Sequence, residues 1–436
     1  MIAGRQLSLN ILYRAGNMAT VFGITLLMTH LCGVAGYGIF TLLLTNVALF
    51  SLFTAAGSDA GITYHVAAGD VSWKALFRFT VLIVFIQVLA AVVTDILVFQ
   101  VTGHYFFLRG DPWISNWPGL LLLTTVAINE KCNAWLLGRK KYTLTNHILF
   151  FSNLAILLYF LYERFTVPQP NPYYYLRAWA LLSLIQSVWM VSACLQLFRE
   201  KKNVVVSNSA PARIFTYSLF TFVINSIQFL AYRIDFWILE HFKGDLQLGW
   251  YALAVKLSQL LWVLPLLLAS MIFPHTASGL TPNDESRLRA WIRLMNGLNL
   301  MAGVVFALIA SWLIPLLFGP AFEESVQLFR ILLPGVILFS IATLLAAFFG
   351  GMNQLHVNLW GSVLCLGVIG SLDLILIPKY GMRGAAIASS IGYSITGIYF
   401  LIQYAVRSGH SVLSLLLPRK ADKEYLTLRS EHAGKE

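Results

Sequence analysis

The chain has 436 residues, of which 58% are hydrophobic and 11% charged, against ~45–50% and ~25% in a soluble domain. That balance excludes a water-soluble globule, and the formal charge of +11 bears on function only through where the 30 Lys and Arg residues fall. About a dozen stretches reach the ~20 apolar residues that cross a bilayer, which leaves little chain outside it.

In chain order the apolar runs lie near residues 7–31, 36–57, 77–101, 115–137, 143–162, 176–198, 214–239, 249–273, 293–318, 327–349, 357–377 and 385–405. A helix satisfies its backbone hydrogen bonds within one span, and no ten-residue alternation of a membrane barrel is visible. The fold class is therefore an all-α polytopic membrane protein of about 12 transmembrane helices. An even number puts both termini on one side. With the N-terminus cytoplasmic, 19 cations fall on that side, 7 on the other and 4 inside spans. This bias places both termini in the cytoplasm and accounts for the net charge without a nucleic-acid partner.

Arg14 interrupts what would be the apolar core of a signal peptide and no A-x-A site follows, so the first span is expected to stay as a helix. The longer internal loops, around 58–76, 199–213 and 274–292, are basic and read as topology anchors. Cys32, Cys132, Cys194 and Cys365 lie in or beside apolar segments with no CxxC pair and no nearby His cluster. They read as core residues; no metal and no cofactor is expected.

A shift of about 213 residues lays the first six spans over the last six and brings Gly36-Tyr37-Gly38 beside Gly249-Trp250-Tyr251; a shift of 210 pairs His65 with His275. The matches are few. They divide the chain into an N-terminal six-helix lobe (1–198), a cytoplasmic linker (199–213), a C-terminal six-helix lobe (214–405) and a cytoplasmic tail (406–436). A six-span repeat keeps both copies in one orientation, so the two lobes are related by a pseudo-two-fold axis along the membrane normal, as in transporters with a mid-membrane site.

A charge near the bilayer centre costs at least ~2.5–3.5 kcal/mol, so charges within spans are candidates for function. Arg14, Asp95, Glu130, Lys131, Arg233, Asp235, Lys256 and Asp373 are such charges. Asp95, Glu130, Lys131 and Asp373 lie close to span ends, where internal salt bridges or snorkelling explain them. On span one, Asn10, Arg14 and Asn17 share a face. On span seven, Ser218, Thr221, Asn225, Gln228, Tyr232 and Asp235 recur every three or four residues and form a polar stripe. Two readings of the stripe are open, a water-lined cavity and hydrogen-bonded glue between helices.

Arg233 flanks the stripe seven residues before Glu240, and Lys256 follows Gly249 by seven. Counted from those positions each lies about 10 Å deep at 1.5 Å per residue. Two cations at matched depth on adjacent helices suit one anion, Arg as a planar fork and Lys as a point charge. Neutralisation by Asp235 or Glu240, and snorkelling of Arg14, stand as the alternatives.

The order of short signatures resembles the polysaccharide transporter branch of the multidrug, oligosaccharidyl-lipid and polysaccharide exporter (MOP) superfamily, which includes O-antigen flippases. These signatures are Gly36-Tyr37-Gly38, Arg233 with Asp235, Gly249 with Tyr251, Pro274, Pro315 with Phe318-Gly319, Leu333-Pro334-Gly335, Ile377-Pro378, Tyr380-Gly381 and Gly384-Ala385-Ala386. The resemblance implies two lobes in a V around a hydrophilic cavity lined by the first and seventh helices. It also implies flipping of an isoprenoid-diphosphate-linked oligosaccharide from the cytoplasmic to the outer leaflet of a bacterial inner membrane, with membrane lipids around it and a glycan polymerase or glycosyltransferases as partners. Cationic cavity residues, a family trait, carry over to Arg14, Arg233 and Lys256; Asn10, Asn17, Thr221, Asn225, Gln228 and Tyr232 would meet sugar hydroxyls, and Asp235 and Asp373 are candidates for ion coupling. Some relatives have two further C-terminal helices that this chain lacks.

Two other functions stand as alternatives. A multidrug antiporter for organic cations wants carboxylates on span one, which carries Arg14 and no acid. An integral-membrane glycan polymerase wants a substantial outer loop or an acid cluster, and neither is visible, so no enzyme is expected.

Overall fold

The computed structural model describes residues 4–68, 73–107, 116–166, 171–199, 211–277 and 282–416. Residues 200–210 of the expected linker (199–213) and the part of the tail (406–436) beyond 416 lie outside the described residues. Every long element is a helix, and no strand occurs among the described residues.

The first helix, α1 (Gly4–Ala55), has 52 residues, roughly 78 Å at 1.5 Å per residue, more than twice the ~30 Å of a bilayer core. It is broken at Gly33, whose φ of 65° and ψ of −172° are open essentially to glycine alone, and so supplies spans one and two. The second span continues past the turn at Ala56 and Gly57 into α2 (Ser58–Ala68). The loop expected from 58 to 76 is therefore mostly helix: the chain restarts after Gly57 with Asp59 in its first turn, where a negative charge suits the helix dipole. Then come α3 (Trp73–Thr102), α4 (Trp117–Gly138), α5 (Tyr142–Thr166) and α6 (Pro172–Arg199).

The same plan recurs in the second half. The helix α7 (Pro211–Ser258) breaks at Gly244, with φ 76° and ψ 179°, and its second arm runs through a 3-10 turn (Gln259–Trp262) into α8 (Val263–Ala277). The following helices are α9 (Pro282–Phe318), α10 (Glu324–Gly351), α11 (Leu355–Tyr380), α12 (Met382–Ser408) and the short α13 (Val412–Leu416). The loop expected at 274–292 is thus largely helical, with Pro274 inside α8. Among the described residues nine helices are long and apolar enough to span a membrane. Two of these are the broken α1 and the α7–α8 run, each crossing twice; with α4, twelve crossings result, as the hydropathy pattern requires.

The chain divides into two compact units, 1–226 and 227–436. In the first, α4 is the hub, packed on α6, α2, α3 and α1, while α5 lies along α1; in the second, α10 packs on α12, α8 and α9, and α11 on α12. The fourth span thus takes the sixth, second and third as neighbours in both. Small residues let the backbones of the second hub meet: a Cβ on Gly335 would strike the backbone of Ser390, and one on Gly397 would come within 2.6 Å of the Leu338 carbonyl.

Candidate functional site

The polar face of the seventh span is built into the second unit over much of its length. Gln228 accepts a hydrogen bond from Ser362 Oγ at 2.8 Å. Tyr232 packs against Trp262, Phe339 and Tyr393 with ring centroids 5.5–6.1 Å apart. Asp235 is buried and accepts from Tyr251 Oη, from Ser389 Oγ at 3.2 Å and from the Phe236 amide at 2.9 Å. From Gln228 to Asp235 the stripe is therefore helix-to-helix packing. Asn225 remains exposed. The side chains of Ser218 and Thr221 lie outside those described.

Arg233 and Lys256 behave differently from the stripe. Both are half-buried, and among the described residues neither makes an ion pair. The Arg233 guanidinium lies 4.8 Å over the Phe236 ring, a cation–π contact, while Asp235 is turned to the Tyr251 and Ser389 hydroxyls. The two positive charges are close enough to act on each other. Because α7 runs unbroken to Gly244, the two residues stand 11 and 12 positions from that turn on its two arms, roughly 16–18 Å along each helix. The two distances from the turn are alike and exceed the 10 Å counted from Glu240 and Gly249, since no loop lies between those two residues.

A second buried acid completes the acidic part of this unit. Asp373 of α11 is fully buried, and neither carboxyl oxygen has a hydrogen-bond partner among the described residues. It interacts electrostatically with Asp235. Tyr251, Ser389 and the two acids thus form one cluster from both arms of α7 and from α11 and α12.

In the first unit, Asn10 and Asn17 are tied to α5. Asn146 Nδ2 donates to Asn10 Oδ1 at 2.6 Å and Asn153 Nδ2 to Asn17 Oδ1 at 2.8 Å, so a seven-residue step on one helix meets the same step on the other. Arg14 sits between these two bonds along α1; it is exposed and makes no ion pair among the described residues. The remaining intramembrane charges hold the unit together. Asp95 accepts from the Phe106 amide at 2.9 Å and from Asn116, pinning the segment after α3. This is neither a salt bridge nor snorkelling, but a carboxylate satisfied by N–H donors. Lys131, 1% exposed, pairs with Asp59 of α2 at 2.6 Å, and Glu130 accepts from Ser51 at 2.6 Å.

Sequence reasoning missed one site. Asp59, Thr63, Tyr64, Glu130, Asn133, Ala134 and Leu137 line an open cavity of about 480 Å³ between α2 and α4. Reading 58–76 as a loop hid it; the restart signal Gly57-Ser58-Asp59 was the clue. Among the described residues no group of three or more His, Cys, Asp or Glu side chains could hold a metal ion, and the four cysteines are unpaired.

Residues 169–327 match the model of a family described as polysaccharide biosynthesis protein. No curated protein sequence matches the chain. Among solved structures it is similar to an inward-facing multidrug resistance MATE family transporter of the MOP superfamily (TM-score 0.69, 14% identity, 92% of this chain and 95% of that one). It is also similar to the lipid II flippase MurJ in an inward closed conformation (TM-score 0.66, 12% identity, 92% and 89%). A third is a MOP superfamily transporter from Pyrococcus furiosus (TM-score 0.60, 14% identity, 94% and 95%). The chain therefore has the fold of the MOP superfamily, and within that fold residues 169–327 match a polysaccharide biosynthesis family, in agreement with the branch that its short motifs resemble.

Proposed function

We propose that this multi-pass membrane protein is a flippase that carries an isoprenoid-diphosphate-linked oligosaccharide from the cytoplasmic to the outer leaflet of a bacterial inner membrane by alternating access. The observation that carries the proposal is the pair Arg233 and Lys256, two cations at like distances from Gly244 on the two arms of α7 that form no ion pair among the described residues. Asp235, which interacts electrostatically with Arg233, is hydrogen-bonded to Tyr251 and Ser389 instead. Two like charges held in a membrane-embedded unit repel each other and lose solvation. A diphosphate would relieve both costs at once, the guanidinium binding as a fork and the ammonium as a point charge. Arg14 would give the first lobe (1–198) its own anion contact, and Asn225 and Thr221 would meet sugar hydroxyls, with Gln228, Tyr232, Asn10 and Asn17 fixing the wall behind them. The saccharide and its diphosphate need a polar route because unsatisfied polar groups are costly in hydrocarbon; the isoprenoid tail can remain in lipid. Asp235 and Asp373 are the candidates for ion coupling in the second lobe (214–405), and a glycan polymerase and glycosyltransferases are the natural partners.

The test uses the full-length protein in liposomes with a labelled lipid-linked oligosaccharide. Relocation of the label to the opposite leaflet without a change in its mass is expected, and a mass change would mark an enzyme instead. Arg233→Ala or Lys256→Ala should lower the rate at least tenfold while the protein still folds; full activity in both would remove this site from the mechanism. The MATE-like fold keeps a second reading, antiport of organic cations. Extrusion of a cationic dye by the same liposomes, with no movement of the glycolipid, would establish it in place of the first.

A further inference from the structure

The helix α4 ends at Gly138, where a side chain would collide with Val66 and the Thr63 carbonyl. The chain then turns into α5 through Arg139, Lys140 and Lys141. The Lys140 amide donates to the Leu137 carbonyl and the Lys141 amide to the Leu136 carbonyl, both at 2.9 Å. This hydrogen-bond pattern wants glycine at its left-handed position, yet Lys140 occupies it, with φ 57°. The second unit makes the same turn 213 residues later. There Asn353 has φ 56°, its amide donates to Gly350 at 3.1 Å and that of Gln354 to Phe349 at 2.8 Å. Met352, Asn353 and Gln354 carry no charge, and asparagine tolerates this conformation well. The turn therefore folds without cations, and the first unit keeps a strained lysine in it.

The surroundings of that lysine say what the charge is for. Arg139 lies 4.9 Å over the ring of Trp73, which is 5.2 Å from Trp135; Trp135 is fixed by a 3.0 Å hydrogen bond to Thr80. Lys74 and Arg78, one turn apart at the start of α3, are exposed, as are Phe77 and Phe79 beside them. The cations, the half-buried Trp73 ring and the apolar face of α3 running away from them match the headgroup, glycerol level and acyl chains of a phospholipid in that order. We infer that the α4–α5 turn and the start of α3 form a binding site for the phosphodiester headgroup of an anionic phospholipid, built on Arg139, Lys140, Lys74 and Arg78.

The experiment compares thermal unfolding of the purified full-length protein in detergent with added phosphatidylglycerol or phosphatidylcholine, together with lipid adducts by native mass spectrometry. Phosphatidylglycerol should raise Tm by several degrees more than phosphatidylcholine. Lys140→Gly and Lys140→Asn relieve the left-handed strain, so they should melt higher than the parent in phosphatidylcholine. They should nonetheless lose at least half of the phosphatidylglycerol increment and several-fold in retained adducts, and Arg139→Gln should lose as much. Equal stabilisation by the two lipids, or an undiminished increment in all three variants, would overturn the inference. So would a response to inorganic phosphate or to a polyprenyl diphosphate that phosphatidylglycerol does not reproduce.

Discussion

Lys131 is a charged residue that the membrane accepts because one neighbour neutralises it. Its ammonium is 1% exposed and bonded to Asp59, which is 37% exposed. Removing one partner of a pair costs about 3–5 kcal/mol when the charge left behind is buried; Lys131 without Asp59 would be such a charge, whereas Asp59 without Lys131 stays in reach of solvent. Asp59→Asn should therefore destabilise the protein toward the lower end of that range, since solvent reaches Asp59 and screens part of the interaction, while Lys131→Met should melt near the parent. Equal losses in the two variants by thermal unfolding would show that the pair is not what the fold depends on. Asp95 sharpens the contrast. Both residues read in the sequence simply as charges near span ends, but one is half of an ion pair and the other accepts backbone N–H bonds. Nothing in the residue type or its spacing distinguishes the two, because the partners come from other segments.

At the scale of elements, the two broken helices follow from single glycines. Gly33 and Gly244 hold a conformation in which a Cβ meets no neighbouring atom, so the cost of a substitution there is purely conformational. Gly33→Ala and Gly244→Ala should each lose about 1–3 kcal/mol, read as a lower unfolding midpoint, and asparagine should not rescue them because the backbone is extended rather than left-handed helical. Gly335 is the opposite case, since alanine there must push α10 away from the Ser390 backbone. The sequence announces the spans themselves through their apolar length. It is silent on α2, where Asp59 and His65 give a short helix the look of a loop.

The whole molecule is two copies of one packing plan, and the copies differ where they carry charge. The left-handed turns at Lys140 and Asn353 stand 213 residues apart, the same offset at which Gly36 and Gly249 align, so the weak sequence repeat is matched by backbone geometry. The third spans, α3 and α9, are the least buried of either unit, as expected of helices whose outer faces meet lipid. The proposed orientation predicts that a membrane-impermeant thiol reagent added to intact cells labels a cysteine placed at His104, beyond α3, and spares one placed at His410, beyond α12. The reverse pattern would invert the topology and, with it, the proposed direction of transport.

The sequence by itself determined the number of crossings and the helical class, because backbone hydrogen bonding in hydrocarbon is a local requirement that apolar length reports directly. It also marked Arg233 and Lys256 as a matched pair, since depth along a helix is a count of residues. Only the tertiary structure decided which polar groups are spoken for. The lower part of the α7 stripe is absorbed by Ser362, Tyr251 and Ser389, and Asn10 and Asn17 by Asn146 and Asn153, while the two cations form no ion pair among the described residues. Helical periodicity tells which residues share a face. The partner of that face lies more than a hundred residues away for most of these bonds, and packing alone selects it.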